Sequence, residues 1–580
     1  MSTSAAPAWP SSPVLVLGAG PVGQTTALLL ARHGVPTVVL DRRPERDRAG
    51  SKAICQQRDV LDVWESVGAG RRIADEGVTW TTARTFHRDT ELFAHTFAEP
   101  GRPAFPPFVN LSQARTEQIL DERIADEALV DLRWGHDVVG VEQSADGVAV
   151  TLDGGGRVAG SFVVVCAGAR GEALRDLLGV TFEGTSFDDR FLICDVRADL
   201  PGWATERRFH FDPAANPGRQ VLVHPCPDST FRIDWQVPAG YDLDAETASG
   251  ALDARIRAVI GDVDHEVVWS SVYRFHSRVV DRMRCGRVLL AGDAAHLVSP
   301  FGARGLNSGV ADAENAAWKI AWVGRGWAPE ELLESYHAER HAAARENVAV
   351  TTATMDFLVP RDAERVRARA EVLAAAATDP AARARVDSGR LAEPFWYVDS
   401  ALTTADARRP FAGRPARGEV PPAGPGVLVP DAPVRSPAGP GRLRALARDG
   451  FLLLTGPLAD ADAVAAAAAG APGPVRVLAL AELDGRTGTG ALDEDGDEDG
   501  DGDGDGRGPT VTAALVARPD EVWLLRPDAH VAAVLAAPSR DDVAAALARA
   551  TARGTTAPPP RTRTSNGPEE GHDGVLQASR

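Results

Sequence analysis

Two glycine-rich turns far apart in the chain constrain its fold more than any other feature. The first, Gly18-Ala-Gly-Pro-Val-Gly23, separates the apolar run PVLVL from the helical pattern PVGQTTALLLARHG. The second lies in Arg287 to Asn307, RVLLAGDAAHLVSPFGARGLN. There a buried apolar strand runs into Gly292-Asp293, and a Gly-rich loop opens onto a helix expected to begin near Asn307. A carboxylate at a strand end can hold sugar-like hydroxyls. A helix N-terminus presents unpaired N–H groups to an anion or an electron-rich ring. Two such half-sites imply one extended ligand gripped at both ends.

The spacing G-x-G-x-x-G gives each glycine a distinct role. Gly18 makes the tight turn, Gly20 lets a pyrophosphate approach the backbone, and Gly23 allows close helix–strand contact. Pro21 and Val22 begin the helix, where proline's missing N–H is harmless. Asp41 ends the next strand, VPTVVLD, and can accept hydrogen bonds from adenosine ribose hydroxyls. NAD(P) enzymes of this fold rarely need a Gly-Asp site so far downstream. FAD extends past the strand ends and does, so the pair of motifs selects FAD.

Between the half-sites the pattern changes. ERRFHFDP, RQVLVHPCP, TFRIDWQVP and HEVVWSSVYRFHSRVV alternate polar and apolar residues at period two, with turn residues between. An antiparallel sheet over 182–280 would cover the cofactor and wall a substrate pocket. Its candidate substrate residues are His210, His224, Arg232, Asp234, Trp235 and Tyr273. Alternation places Arg232 and Asp234 on one face and Phe231, Ile233 and Trp235 on the other, without saying which faces the pocket. Arg232 with Asp234 could equally be an ion pair, and His296 is read as bracing the Gly-Asp loop. No catalytic base is singled out. Helical patterns dominate to about residue 395, and a Pro/Gly-rich passage then marks a boundary. Residues 441–550 read as a smaller α/β unit whose last helix has Ser539 and Asp542 at capping-box spacing.

The net charge is −19, of which the run Asp493 to Asp505 supplies nine, leaving −10 elsewhere. An acidic chain argues against a nucleic-acid partner. The acidic run is expected to be disordered, and it lacks the glutamate an EF-hand requires. The five cysteines (Cys55, Cys166, Cys194, Cys226, Cys285) show no metal spacing and no even pairing, so no metal site is expected and a reducing compartment is indicated. With no export signal and no spanning segment, the expectation is a cytoplasmic protein without a membrane partner.

The chain resembles the FAD-dependent aromatic hydroxylases typified by para-hydroxybenzoate hydroxylase, the class A flavoprotein monooxygenases. It looks closest to the branch of hydroxyphenylpropionate and polyketide hydroxylases with a thioredoxin-like C-terminal domain. The resemblance spans about residues 12–550. It rests on GAGPVG with Asp41-Arg42, on RVLLAGDAAHLVSPFGARGLNSGVADAENAAWKIAW, on ESYHAER at Glu334 to Arg340, and weakly on LLRPDAHVA. It implies an α/β fold: a Rossmann-like FAD-binding domain in two parts (1–181 and, with helices, 281–400), an inserted antiparallel-sheet substrate domain (182–280) and a thioredoxin-like α/β domain (410–552). A disordered acidic loop (491–508) and tail (553–580) complete it.

The resemblance also implies residue roles. Asp293 would bind the ribityl hydroxyls, with Gly292 permitting the turn, and Pro300 would sit near the flavin edge. Backbone N–H groups of Gly305, Leu306 and Asn307 would face the flavin pyrimidine, where reduced flavin is anionic. Gln113 and Arg42 would contact FAD, and Lys52 replaces the usual arginine, losing its bidentate fork. Relatives carry Cys-Asp-Gly-Ala-Arg-Ser where this chain has Cys166-Ala167-Gly168-Ala169-Arg170-Gly171. That departure bears on the nicotinamide coenzyme, for which Arg170 and Arg175 remain. The implied reaction uses NADPH or NADH and O₂ to hydroxylate a phenolic or polyketide-like ring through a flavin C4a-hydroperoxide. Two alternatives stand beside it: a Baeyer–Villiger-type or other flavin oxidoreductase, and a non-catalytic flavoprotein scaffold. The C-terminal unit, lacking cysteine, cannot perform thiol redox chemistry, so packing or homodimerisation is its expected role.

Overall fold

The computed structural model describes residue 9 and residues 12–47, 53–97, 103–415, 419–436, 439–485 and 509–554. Lys52, the acidic loop 491–508 and the tail from 555 onward lie outside the described residues.

Val14–Leu17 (β1) is buried on both faces, as its unbroken apolar run requires of a parallel strand. The helix Pro21–Arg32 (α1) follows with Pro21 in its first turn, and Thr37–Asp41 (β2) returns parallel to β1. The sheet runs in the order Arg284–Cys285, Val288–Leu290, Val163–Val165, β1, β2, Val130–Trp134. Neighbours are parallel except at the Arg284–Cys285 edge. Three adjacent strands therefore end side by side at Gly18, Cys166 and Ala291. The two distant turns meet because Val288–Leu290 pairs with Val163–Val165, which pairs with β1.

The second sheet has eight strands. Phe182–Ala198 (β3), Glu206–Phe211 (β4), Gln220–Cys226 (β5), Thr230–Val237 (β6) and His265–Val280 (β7) form its centre. Its order is His296–Leu297, β7, β3, β6, β5, β4, Thr82–His87, Thr90–Thr96. The last two strands come from the earlier part of the chain, so the sheet is larger than its 182–280 segment. β4 pairs with Thr82–His87 in parallel, and the other neighbours are antiparallel. One face of β6 (Phe231, Ile233, Trp235) is buried with Leu252, Ile256 and Ile260 of the helix Ala251–Ile260. The opposite face, with Arg232 and Asp234, is turned toward the first sheet's strand ends.

Two long helices back the site, Arg304–Gly324 (α2) and Leu332–Leu358 (α3). α2 begins three residues earlier than the sequence suggests. Ala303 caps it in left-handed conformation (φ 56°), and Arg304 is anchored by bonds to Asn347 and to the carbonyls of Arg390 and Leu391. The ESYHAER segment lies on α3 and is structural: Tyr336 donates to the Leu290 carbonyl at 2.6 Å, and Glu339 and Arg340 enter buried ion pairs.

The C-terminal unit contains Phe451–Thr455 (β8), Ala461–Ala469 (α4), Val475–Ala479 (β9), Glu521–Leu525 (β10), Val531–Ala536 (β11) and Arg540–Ala550 (α5). Its sheet order is β9, β8, β10, β11, with only β8 and β9 parallel. The Ser539–Asp542 capping box on α5 is formed. The β10–β11 turn docks on α2 and α3: Arg526 pairs with Glu339 at 2.6 Å and Asp528, and Lys319 of α2 shares Glu339 at 2.6 Å. Arg448 adds pairs to Asp62 and Glu314. Among the described residues no helix is long and apolar enough to cross a membrane, and no His/Cys/Asp/Glu cluster could hold a metal ion.

Candidate active site

A cavity of about 1140 Å³ runs from the strand ends of the first sheet to the face of the second. That exceeds the roughly 300–1,000 Å³ of a typical single-ligand site. At one end it is lined by Gly18, Gly20, Pro21 and Val22, at the N-terminus of α1, and by Asp41 and Arg42 at the end of β2. The motif glycines divide as their spacing demands. A Cβ on Gly23 would overlap the Gly18 carbonyl oxygen, whereas a Cβ on Gly20 would meet nothing within 4 Å. Gly23 is required by packing, and Gly20 leaves space for something to lie on the backbone. Asp41 accepts from Ala19 N–H at 2.7 Å and from Arg43 N–H at 2.9 Å, with the Arg43 guanidinium against both oxygens. Burial raises its carboxyl pKa, but these bonds to Arg43 and Ala19 outweigh that and hold it below the usual range.

The middle of the cavity is the Gly-Asp turn. Gly292 and Ala294 are buried while Asp293 between them is exposed at the cavity surface. The turn is fixed from behind by Asp312 of α2, a residue not singled out from sequence. Its carboxylate accepts from Gly292 N–H at 2.9 Å, His296 Nε2 at 2.7 Å and Arg340 Nε at 2.7 Å. Burial alone would raise its pKa, and the charges of His296 and Arg340 with these hydrogen bonds bring it below the usual value. His296 is thus a brace for the loop, as expected. Val298, Pro300, Gly305 and Leu306 continue the lining to the N-terminus of α2. Asn307 does not reach it: its side chain accepts from Gln57 N–H at 3.0 Å and donates to the Cys55 carbonyl at 3.1 Å, tying α2 to the strand Cys55–Gln57. Gln113 lines the cavity and bonds to Ala53 N–H and Glu117.

The far end is the second sheet. Arg232, Asp234 and His224 line it, with Phe191, Ile193, Leu222, Phe275 and Phe301 as apolar neighbours. Arg207, overlooked in the sequence, also lines it while only 3% exposed, and donates to the Ser388 carbonyl at 3.0 Å. The Arg232–Asp234 ion pair open from sequence is not the one formed. Arg232 pairs with Asp195, directly opposite it on β3, at 2.8 and 3.0 Å. Three candidates fall elsewhere. Trp235 is buried beneath the helix Ala251–Ile260, and His210 stacks on Phe86 at 4.5 Å on the sheet's other face. Tyr273 shares the Phe191 face by register but is not part of the lining.

The segment Cys166 to Gly171 borders the cavity, with Ala167 in place of the carboxylate of the resembled family. Arg175 is taken up structurally: it lies 4.2 Å from the Phe182 ring and donates to the Ala294 carbonyl at 3.3 Å. Of the two arginines, Arg170 alone remains in the lining.

A cavity lined by the N-termini of α1 and α2, with an acidic turn between them, is the geometry of a flavin–nucleotide protein. The chain belongs to the FAD binding domain family, which it matches over residues 11–351. It is similar to the 3-(3-hydroxy-phenyl)propionate/3-hydroxycinnamic acid hydroxylase of Mycobacterium sp. (strain JLS), 29% identical over 402 residues, 68% of this chain and 69% of that one. It is also similar to the dialkyldecalin synthase of Streptomyces rugosporus, 33% identical over 354 residues, covering 59% and 72%. Among solved structures it is similar to aklavinone-11 hydroxylase in ternary complex with FAD and aklavinone. That match has a TM-score of 0.72 and 25% identity, over 94% of this chain and 99% of that one.

Proposed function

We propose that the protein is an FAD-dependent monooxygenase that hydroxylates an aromatic substrate, phenolic or polyketide-like, with NAD(P)H and O₂. The observation that carries this reading is the single cavity joining the α1 N-terminus and Asp293 to an aromatic-lined sheet face. The open space over Gly20 and the exposed Asp293 beside a buried, braced turn fit FAD. In this reading the α1 N-terminus receives the pyrophosphate, and Asp41 with Arg42 faces the adenosine end. Gln113 contacts the cofactor, and Asp293 holds the ribityl hydroxyls. Pro300 and the backbone of Gly305 and Leu306 face the ring system, where the α2 N-terminus favours negative charge. When bound, FAD supplies the electron transfer and oxygen activation that no protein side chain provides. The chain's own part is to orient the substrate against β5 and β6 and to keep water out with Phe191, Phe275 and Phe301.

The β9, β8, β10, β11 order supports reading the C-terminal unit as thioredoxin-like in fold, serving docking and not redox chemistry. Five free cysteines support a cytoplasmic setting. A second reading, a flavin scaffold used without a nicotinamide step, is favoured by Ala167 and by the similarity to a synthase. The test is NAD(P)H oxidation by the purified protein with a panel of phenols, with oxygen from ¹⁸O₂ traced into the product. Substrate-stimulated oxidation with label in the ring supports the first reading. Product formation without coenzyme consumption supports the second.

A further inference from the structure

The sheet wall carries two polar atoms that the protein does not satisfy. Among the described residues, Asp234 Oδ1 and His224 Nδ1 are buried without a hydrogen-bond partner. Both residues line the cavity. Asp234 is paired across strands with Leu222, two residues from His224 on the same face of β5. The two side chains are therefore diagonal neighbours, about 7–8 Å apart at the backbone and somewhat less at Cβ. A buried polar atom without a partner is costly to leave unmet. Two on one cavity wall point to a ligand group that satisfies both.

The charges on this wall restrict that group. Arg232 pairs with Asp195, and Asp234 lies in the field of both Arg232 and Arg207. Burial lifts the Asp234 carboxyl to about 7, opposed by Arg232 and Arg207 and aided by Asp195. Burial, then Arg207 and Arg232, pushes the His224 imidazole well below its usual range, so it is neutral. A neutral hydroxyl can donate to the unpartnered Asp234 Oδ1. A carboxylate at that position would set a second acceptor of like charge against Asp234 in a low-dielectric chamber.

We propose that Asp234 and His224 together recognise a ring hydroxyl, so the substrate class is a hydroxyarene that brings no carboxylate to this wall. The inference rests on the reading of the cavity as a flavin and substrate site. The hydroxyl donates to Asp234 Oδ1 and accepts from Nδ1–H of His224. When it ionises, the O–H electron pair stays on the substrate oxygen and the proton passes to Asp234, with no oxidant or reductant involved.

The experiment uses FAD-loaded enzyme and three hydroxyarenes of one, two and three fused rings, each with its matching arenecarboxylate. Binding is read from the perturbed flavin spectrum. Wild type is expected to bind at least one hydroxyarene about tenfold or more tightly than its carboxylate, and Asp234→Ala to lose about that factor for the hydroxyarene alone. Wild-type affinity should rise as pH increases through about 7, where Asp234 ionises. The isosteric Asp234→Asn should remove that rise while keeping its FAD. Equal loss for both ligand classes would indicate a merely structural role and overturn the proposal. So would unchanged hydroxyarene affinity and pH profile in both variants, or an FAD-loaded wild type that binds none of the three. A wild type that takes up no FAD would instead overturn the flavin reading itself.

Discussion

Asp293 and Asp312 meet at one turn from opposite sides, and the structure assigns them different consequences on removal. Asp312 is fully buried and accepts from Gly292, His296 and Arg340. Asp312→Ala leaves Arg340, itself 2% exposed, with only Tyr397 Oη at 3.0 Å and the Ser308 oxygens at 3.2 Å. Removing one partner of a buried ion pair destabilises by about 3–5 kcal/mol. At about 2–4 °C per kcal/mol for a unit of about 150–250 residues, this is a fall of roughly 6–20 °C, nearer the low end for a larger unit. Asp293 is exposed, so Asp293→Ala should leave the transition temperature close to wild type. Its charge-assisted bonds to FAD, at about 1.5–3 kcal/mol, correspond to roughly a tenfold to hundredfold loss of affinity. Thermal unfolding followed by circular dichroism, with FAD content measured on the same samples, separates the two. An Asp312→Ala protein that melts with wild type, or an Asp293→Ala protein that melts as early as Asp312→Ala, would refute this division of roles.

Gly20→Ala should fold normally and bind FAD at least about tenfold more weakly, because its Cβ enters open cavity; Gly23→Ala should fail to accumulate as folded protein, read by soluble yield and circular dichroism. Arg526→Ala should release the β10–β11 turn by leaving Glu339 and Asp528 under-compensated, a loss of about 3–5 kcal/mol. Limited proteolysis would then cut between the C-terminal unit and the rest, and a wild-type cleavage pattern would contradict this. His33 and His210 are pushed by burial to about 3 and about 4. Their folded pKa values lie below the unfolded value of about 6.5, so the unfolded chain binds more protons as pH falls. Stability is therefore full above about 6.5 and declines toward pH 4, checked by denaturant midpoints across that range; His210→Asn should flatten the decline.

The two glycine turns were legible because their chemistry is local: a strand end, a tight turn and a helix start lie within a few residues. The alternation in β6 was legible too, but it gives two faces without naming the inner one. That choice belongs to the helix Ala251–Ile260, which covers Phe231, Ile233 and Trp235 and leaves Arg232 and Asp234 to the cavity. The partner of Arg232 was hidden for a related reason. Residues two apart on a strand share a face, but the directly opposite residue on the next strand is closer, and that is Asp195. Asp312 and Arg207 are placed by tertiary contacts that include the Gly-Asp turn and Ser388, and no local pattern marks them. Asn307 sits in a motif that points at the ligand, yet helix geometry turns its side chain toward Cys55–Gln57.

Each functional role proposed for these residues depends on the cavity between the two sheets being a flavin site. The most direct measurement is the absorbance spectrum of the purified protein, before and after reconstitution with FAD and removal of excess. Flavin bands at one FAD per chain are predicted, lost selectively in Asp293→Ala and Gly20→Ala. A folded wild-type protein that stays colourless after reconstitution would contradict that assignment.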